Sequence, residues 1–267
     1  MFIIKATVKG KNLSHNILIM KINNMTMTFA DVLKQYSIET WQKILNHRFI
    51  IELSKDILPV NKFLFYLKQD YYFFEEFSKF LQSAIQKTTN NKIKEWLDSL
   101  YMSTVNFEME MQRQILGSLE VSSSSSSPPP PAPNCLPTSA ATIHNITVPS
   151  KVTVNYTSYL KHISSSGTFS EIISVMAPCP WTYLEIAQRL SKLPIQNEVY
   201  SKWVQFYSSN ELRKQVDEIK QVLNMLSQNE NEKSKGIMKN HFINACKYEL
   251  LFWEMAYNFT WIVVYTA

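Results

Sequence analysis

The sequence predicts an all-α protein built as a helical bundle, and three observations predict it. Only 4 glycines occur in 267 residues, too few for the many tight turns of a sheet-rich chain. From Thr28 onward, apolar residues recur at helical spacing. The patterned runs last about two to eight turns, lengths that suit mostly antiparallel neighbours in a bundle. With 45% apolar and 13% aromatic residues, the chain also has enough material for a sizeable core.

Taken in order, residues 1–25 are weakly patterned and read as an N-terminal extension, in which Met20 or Met25, or Met27 just beyond, offers an alternative start. Residues 26–267 read as a single helical domain. Thr28-Phe29-Ala30-Asp31 resembles a capping box, and Phe29, Val32, Leu33 and Tyr36 follow at helical spacing. Further amphipathic runs cover roughly 37–53, 60–87, 91–118, 154–176, 180–193, 197–227 and 232–258. One stretch breaks the pattern. Ser122 to Asn134 is a serine run followed by polyproline, the centre of a low-complexity insertion spanning about 119–151. It reads as a solvated surface loop; a ligand for a proline-recognising module is the alternative.

Composition excludes several functions. The net charge is +5 and no dense Lys/Arg block occurs, so nucleic-acid binding has no support. Cys135, Cys179 and Cys246 share no metal-site or redox-motif spacing. The N-terminus lacks a secretory pattern, so triplets such as Asn145-Ile146-Thr147 read as chance. The oily end, MAYNFTWIVVYTA, is short of a bilayer span and carries Glu254 at its edge, so no membrane partner is expected. A reducing cytoplasm is the expected compartment, where a reactive thiol stays usable. None of the five histidines has a glutamate three residues before it, as helical di-metal sites require. Gly-rich phosphate loops and Gly-x-Ser-x-Gly elbows are also missing from the sequence.

What remains is thiol and carboxyl chemistry. In MAPCPWTYLEIAQRL, Met176 to Leu190, Cys179 lies between two prolines at the mouth of a helix. With Pro180 in the first helical position, Cys179 becomes the cap, and the positive end of the macrodipole favours its thiolate. A buried, inert thiol beside a kink is the competing reading. In NKFLFYLKQDYYFFEEFSKFLQ, Asp70 falls on the apolar stripe through Phe63, Leu67, Phe74, Phe77 and Leu81. In HFINACKYELLFWEMAY, Glu249 sits amid Phe242, Ala245, Cys246, Trp253 and Ala256. A carboxylate on such a stripe is costly unless it is paired or protonated, so two of them suggest acid–base work. Rim exposure or a structural hydrogen bond is the bland alternative for each. Tyr156, Tyr183 and Tyr207 add ring faces with polar edges, suited to a small aromatic heterocycle.

Five segments then resemble, in order, the TenA or thiaminase-2 family of thiamine-pyrimidine hydrolases: LPVNKFLFYLKQDYYFF, YTSYL, APCPWTYLEIAQRL, YSKWVQFYSS and YELLFWEMAY. The resemblance covers residues 28–258. It implies a haem oxygenase-like helical fold, usually a homotetramer. The implied activity is hydrolysis of aminopyrimidines at the exocyclic methylene, acting on 4-amino-5-aminomethyl-2-methylpyrimidine or on thiamine in thiamine salvage. It also implies Cys179 as nucleophile, Glu249 as proton shuttle and Asp70 as the group that orients the aminopyrimidine edge. Phe73 and Tyr156 would sandwich the ring, while Tyr183 and Tyr207 would bond its polar edge or support the thiol. That chemistry needs no cofactor. A non-catalytic pyrimidine-binding protein of the same fold is the alternative, and a scaffold using the Pro-rich segment is a more distant one. One departure is local: Ser54-Lys55-Asp56-Ile57 stands where the family usually has Gly-Thr before Leu-Pro, which alters a turn.

Overall fold

The computed structural model describes residues 27–124 and 148–259. The N-terminal extension, the polyproline run, Cys135 and the last residues of the oily end lie outside these. The described residues are helical, with no strand among them.

The first helix, α1 (Phe29–Tyr36), starts on the expected capping box: Thr28 accepts from the Asp31 backbone, and the Asp31 carboxylate accepts from the Thr28 N–H. The run expected over 37–53 is two helices, α2 (Ile38–Leu45) and α3 (Arg48–Ser54). They part where the His47 side chain caps the second through the Phe49 N–H. Asp56, at φ 57°, occupies the left-handed region that a glycine adopts freely. Aspartate tolerates it, and here its carboxylate also accepts from the N–H groups of Gln196 (2.6 Å) and Asn197 (3.2 Å). The altered turn therefore ties itself to a distant part of the chain.

Next come α4 (Val60–Lys87), α5 (Asn91–Ser103), a π-helical turn at Thr104–Glu108 and α6 (Met109–Ser124). The last of these runs five residues beyond the expected boundary at 119, because serine is only mildly unfavourable in a helix. After the insertion the chain continues in α7 (Lys151–Ser166), α8 (Phe169–Met176), α9 (Pro178–Leu190), α10 (Glu198–Tyr207), α11 (Asn210–Gln228) and α12 (Glu232–Asn258). Two more expected runs are split, at Thr168 and Ser209, each of which caps the following helix with its hydroxyl.

The long α4 and α12 are the axis of the bundle. α12 packs on α1, α2, α3, α4, α7, α8 and α9, and α4 packs on α5, α6 and α7. Helices from both sides of the insertion thus share one core, which includes Trp41, Phe63, Tyr66, Leu67, Phe242 and Trp253.

Two polar clusters fix the elements that matter for the site. Gln69 on α4 catches the start of α7: its Oε1 accepts from the Ser150 N–H (2.8 Å) and the Thr153 hydroxyl (2.7 Å). Ser150 in turn caps α7 through the Thr153 N–H. Glu185 anchors α9 to the N-terminal helices, accepting from Trp181 Nε1 and Trp41 Nε1 (both 2.9 Å) and from Lys34. Gln69→Ala leaves a buried N–H and hydroxyl without their acceptor. It is expected to cost about 1–3 kcal/mol in urea unfolding. A loss below about 0.5 kcal/mol would show that water or a neighbour replaces the amide.

Candidate active site

Asp70 and Phe73 come from α4, Tyr156 from α7, Cys179 and Tyr183 from α9, Tyr207 from α10 and Glu249 from α12. Five remote segments of sequence thereby meet in the middle of the bundle. Asp70 and Glu249 are each only 2% exposed, which removes the rim reading for both.

Their hydrogen bonds link them into two chains. In the first, Tyr156 donates to Glu249 Oε1 (2.7 Å), and the Cys179 thiol lies within hydrogen-bonding reach of the same carboxyl group. In the second, the Tyr66 hydroxyl (2.9 Å) and the Gln112 amide (2.6 Å) both donate to Asp70 Oδ2. Trp203 Nε1 donates to Tyr66 (3.1 Å), Tyr183 reaches the same hydroxyl, and Gln112 also approaches Tyr207 (3.5 Å). Cys179, Tyr183 and Tyr207 line one cleft. Asp70, Phe73, Tyr156 and Glu249 form the layer next to them rather than that wall.

Burial governs the protonation states. It lifts Glu249 to about 7, against the opposing pull of the Tyr156 and Cys179 hydrogen bonds. Asp70 is also pushed well above the usual carboxylate range, by burial and then by the Glu108 charge. A carboxyl group held near its neutral form offers an O–H donor and a C=O acceptor side by side. That pair complements the ring nitrogen and amino group of an aminopyrimidine edge.

Two expectations need correction. Cys179 is not a helix cap favoured as thiolate. Ala177 keeps helical backbone angles, α8 runs almost directly into α9, and Cys179 is the second residue of α9 behind Pro178. Both prolines are accommodated because first-turn N–H groups lack intrahelical partners. The thiol is pushed well above its ordinary value by burial and by the neighbouring Glu249, Glu108 and Asp70. At rest it is therefore a neutral S–H. The second correction concerns the aromatic pair. Phe73 and Tyr156 touch each other, with centroids 5.0 Å apart and planes tilted by 40°, which leaves no space for a third ring between them. Tyr156 instead stacks face to face on Tyr248, at 4.9 Å and 5°.

The model of the TENA/THI-4/PQQC family matches residues 37–144 and 145–259. The chain belongs to this family. It is 26% identical over 234 residues to an aminopyrimidine aminohydrolase of Halalkalibacterium halodurans, covering 87% of this chain and 96% of that protein. Its fold is similar to a TenA homologue of P. horikoshii, with a TM-score of 0.71 at 24% identity, covering 87% and 99% of the two chains. A haem oxygenase-like domain from Shewanella denitrificans also superposes, at TM-score 0.62 and 13% identity over 85% and 91%. These likenesses establish the all-α, haem oxygenase-like fold of this family member.

Several residues around the TenA-like site carried no legible signal. Tyr66 and Gln112 hold Asp70, and Glu108 lines the cleft beside Tyr207, which donates to it. Tyr66 falls one position outside the apolar stripe that drew attention to Asp70, although its spacing of four from Asp70 puts them on one helix face. Among the described residues, no group of His, Cys, Asp and Glu could hold a metal ion, and no helix is long and apolar enough to cross a membrane.

Proposed function

We propose that this TenA-family protein hydrolyses thiamine-related aminopyrimidines at their exocyclic methylene carbon, with Cys179 as nucleophile. The observation that carries the reading is the contact between the Cys179 thiol and a Glu249 carboxyl poised near neutrality, beside the cleft that Cys179 lines. The named relative supports the substrate class.

The geometry suggests the order of events. The ring lodges with its amino edge on Asp70. The thiol passes its proton to ionised Glu249, which cancels the cost of forming a lone buried thiolate. Sulfur then adds to the ring carbon beside the one bearing the methylene. The displaced electron pair expels the cationic group from that methylene as neutral ammonia, and the proton held by Glu249 passes to solvent. Water adds to the exocyclic carbon and loses a proton to Glu249. The electrons return to the ring, the carbon–sulfur bond breaks, and the thiolate recovers its proton. The net change is an amine replaced by a hydroxyl. Thiamine would follow the same course with its thiazole as leaving group. This chemistry asks for no cofactor. The reading also carries a homotetramer working in the cytoplasm.

Incubating purified protein with 4-amino-5-aminomethyl-2-methylpyrimidine, and separately with thiamine, tests the activity. Ammonia or thiazole release in step with the hydroxymethyl pyrimidine is expected. Tight binding of either compound without turnover would favour the non-catalytic reading, which the raised resting state of Cys179 also accommodates.

A further inference from the structure

The turn that brings Glu108 to the site is π-helical: the Met109 N–H reaches back five residues to the Thr104 carbonyl. A π turn takes up an extra residue and so rotates the helix that follows it. Such turns are rare and gather at functional sites. Its effect here is to set Thr104 and Glu108 in the cleft wall while Gln112, one turn on, is buried against Asp70 and Tyr207. Gln112 Oε1 has no hydrogen-bond partner among the described residues, an open acceptor beside Asp70. The same cleft is otherwise largely apolar, with Phe74, Phe77, Leu81, Leu100 and Met176 in its wall. An isolated carboxylate is unfavourable against that surface, and Glu108 has the Tyr207 hydroxyl as donor. The reaction outlined above does not use it.

Building on the aminopyrimidine reading, we propose that Glu108 is the specificity-determining counter-ion of the site. Its carboxylate pairs with a positive charge on the group attached to the ring's methylene carbon. The site thereby selects cationic leaving groups, an ammonium or a thiazolium, over neutral congeners. Burial lifts Glu108 to about 8, so in the empty cleft it holds its proton at neutral pH. An arriving cation takes the place of that proton, which leaves to solvent, and the half-buried carboxylate forms an ion pair against the largely apolar wall. Once the carbon–nitrogen bond breaks, the pyrimidine product is neutral and the pairing to it is gone. Recognition is therefore strong for the substrate and weak for the product.

The test compares wild type, Glu108→Gln and Glu108→Asp. KM and kcat are measured for the aminomethyl pyrimidine, and Kd for the neutral hydroxymethyl pyrimidine by calorimetry. Glu108→Gln is expected to raise KM for the amine at least about 10-fold, with kcat and the Kd of the alcohol each moving less than about threefold. Glu108→Asp keeps the charge and should fall between the two for the amine. Equal weakening toward amine and alcohol would reveal a merely structural role and overturn the proposal. So would a KM for the amine that stays within about threefold in Glu108→Gln, or an Asp variant as poor as Gln toward the amine. A wild-type protein that neither binds nor turns over either pyrimidine would instead sink the aminopyrimidine reading itself, so the two failures are distinct.

Discussion

Cys179→Ala is expected to lower kcat for aminopyrimidine hydrolysis by at least about a thousandfold while leaving the melting temperature and ligand affinity nearly unchanged. Cys179 is 9% exposed and lines the cleft, so losing its sulfur removes the attacking atom and little packing. Cys246 cannot take over. It is fully buried on α12, and burial pushes its thiol to about 12. Substrate affinity should persist because Asp70 and its Tyr66 and Gln112 supports are untouched. Full activity in the alanine variant would exclude Cys179 as nucleophile. Loss of binding together with turnover would make the side chain a structural element instead.

Glu249→Gln is expected to lower kcat by about 10²–10⁴-fold, the usual range for a positioned acid–base group. The amide still accepts from Tyr156 but can take no proton from the thiol. The sign of the pH effect follows from the same group. Glu249 must be ionised to receive the Cys179 proton, so in the wild type kcat/KM should fall as pH drops below about 7. The residual activity of the glutamine variant should lack that limb. Stability moves the opposite way. Glu249 is raised in the fold, so the native protein binds more protons than the unfolded chain between its unfolded value of about 4.5 and its folded value of about 7. This group's contribution is present below the unfolded value and is lost as pH rises to the folded one. Glu108, raised to about 8, acts in the same direction. Urea unfolding across this range should therefore show wild type losing stability toward alkaline pH more steeply than Glu249→Gln. Parallel stability curves for the two proteins would mean that Glu249 is not held near neutrality in the folded state.

Much of this organisation is legible in the sequence because it rests on periodicity. Asp70 and Glu249 stand out as carboxyl groups on apolar stripes, and the stripes are what the bundle buries. Helix breaks are harder to see. His47, Thr168 and Ser209 each end an amphipathic run by capping the next helix, and the apolar period alone does not register a change of direction. Proline at 178 and 180 reads as a break, yet position within a helix decides its effect, and the first turn tolerates it. The state of Cys179 was illegible for a different reason. Three carboxyl groups converge on it from α4, the π turn and α12, separations in sequence that no local pattern encodes. Glu108 is hidden likewise, because a π turn changes which face a residue presents while leaving its neighbours in sequence unchanged.

The most direct test of the account is a crystal structure of Cys179→Ala soaked with 4-amino-5-aminomethyl-2-methylpyrimidine. The ring is predicted to lie with its amino edge on Asp70, its methylene toward Glu249 and one ring carbon facing the vacated sulfur position. A pyrimidine seated away from these three residues, or no binding at concentrations the wild type turns over, would contradict it.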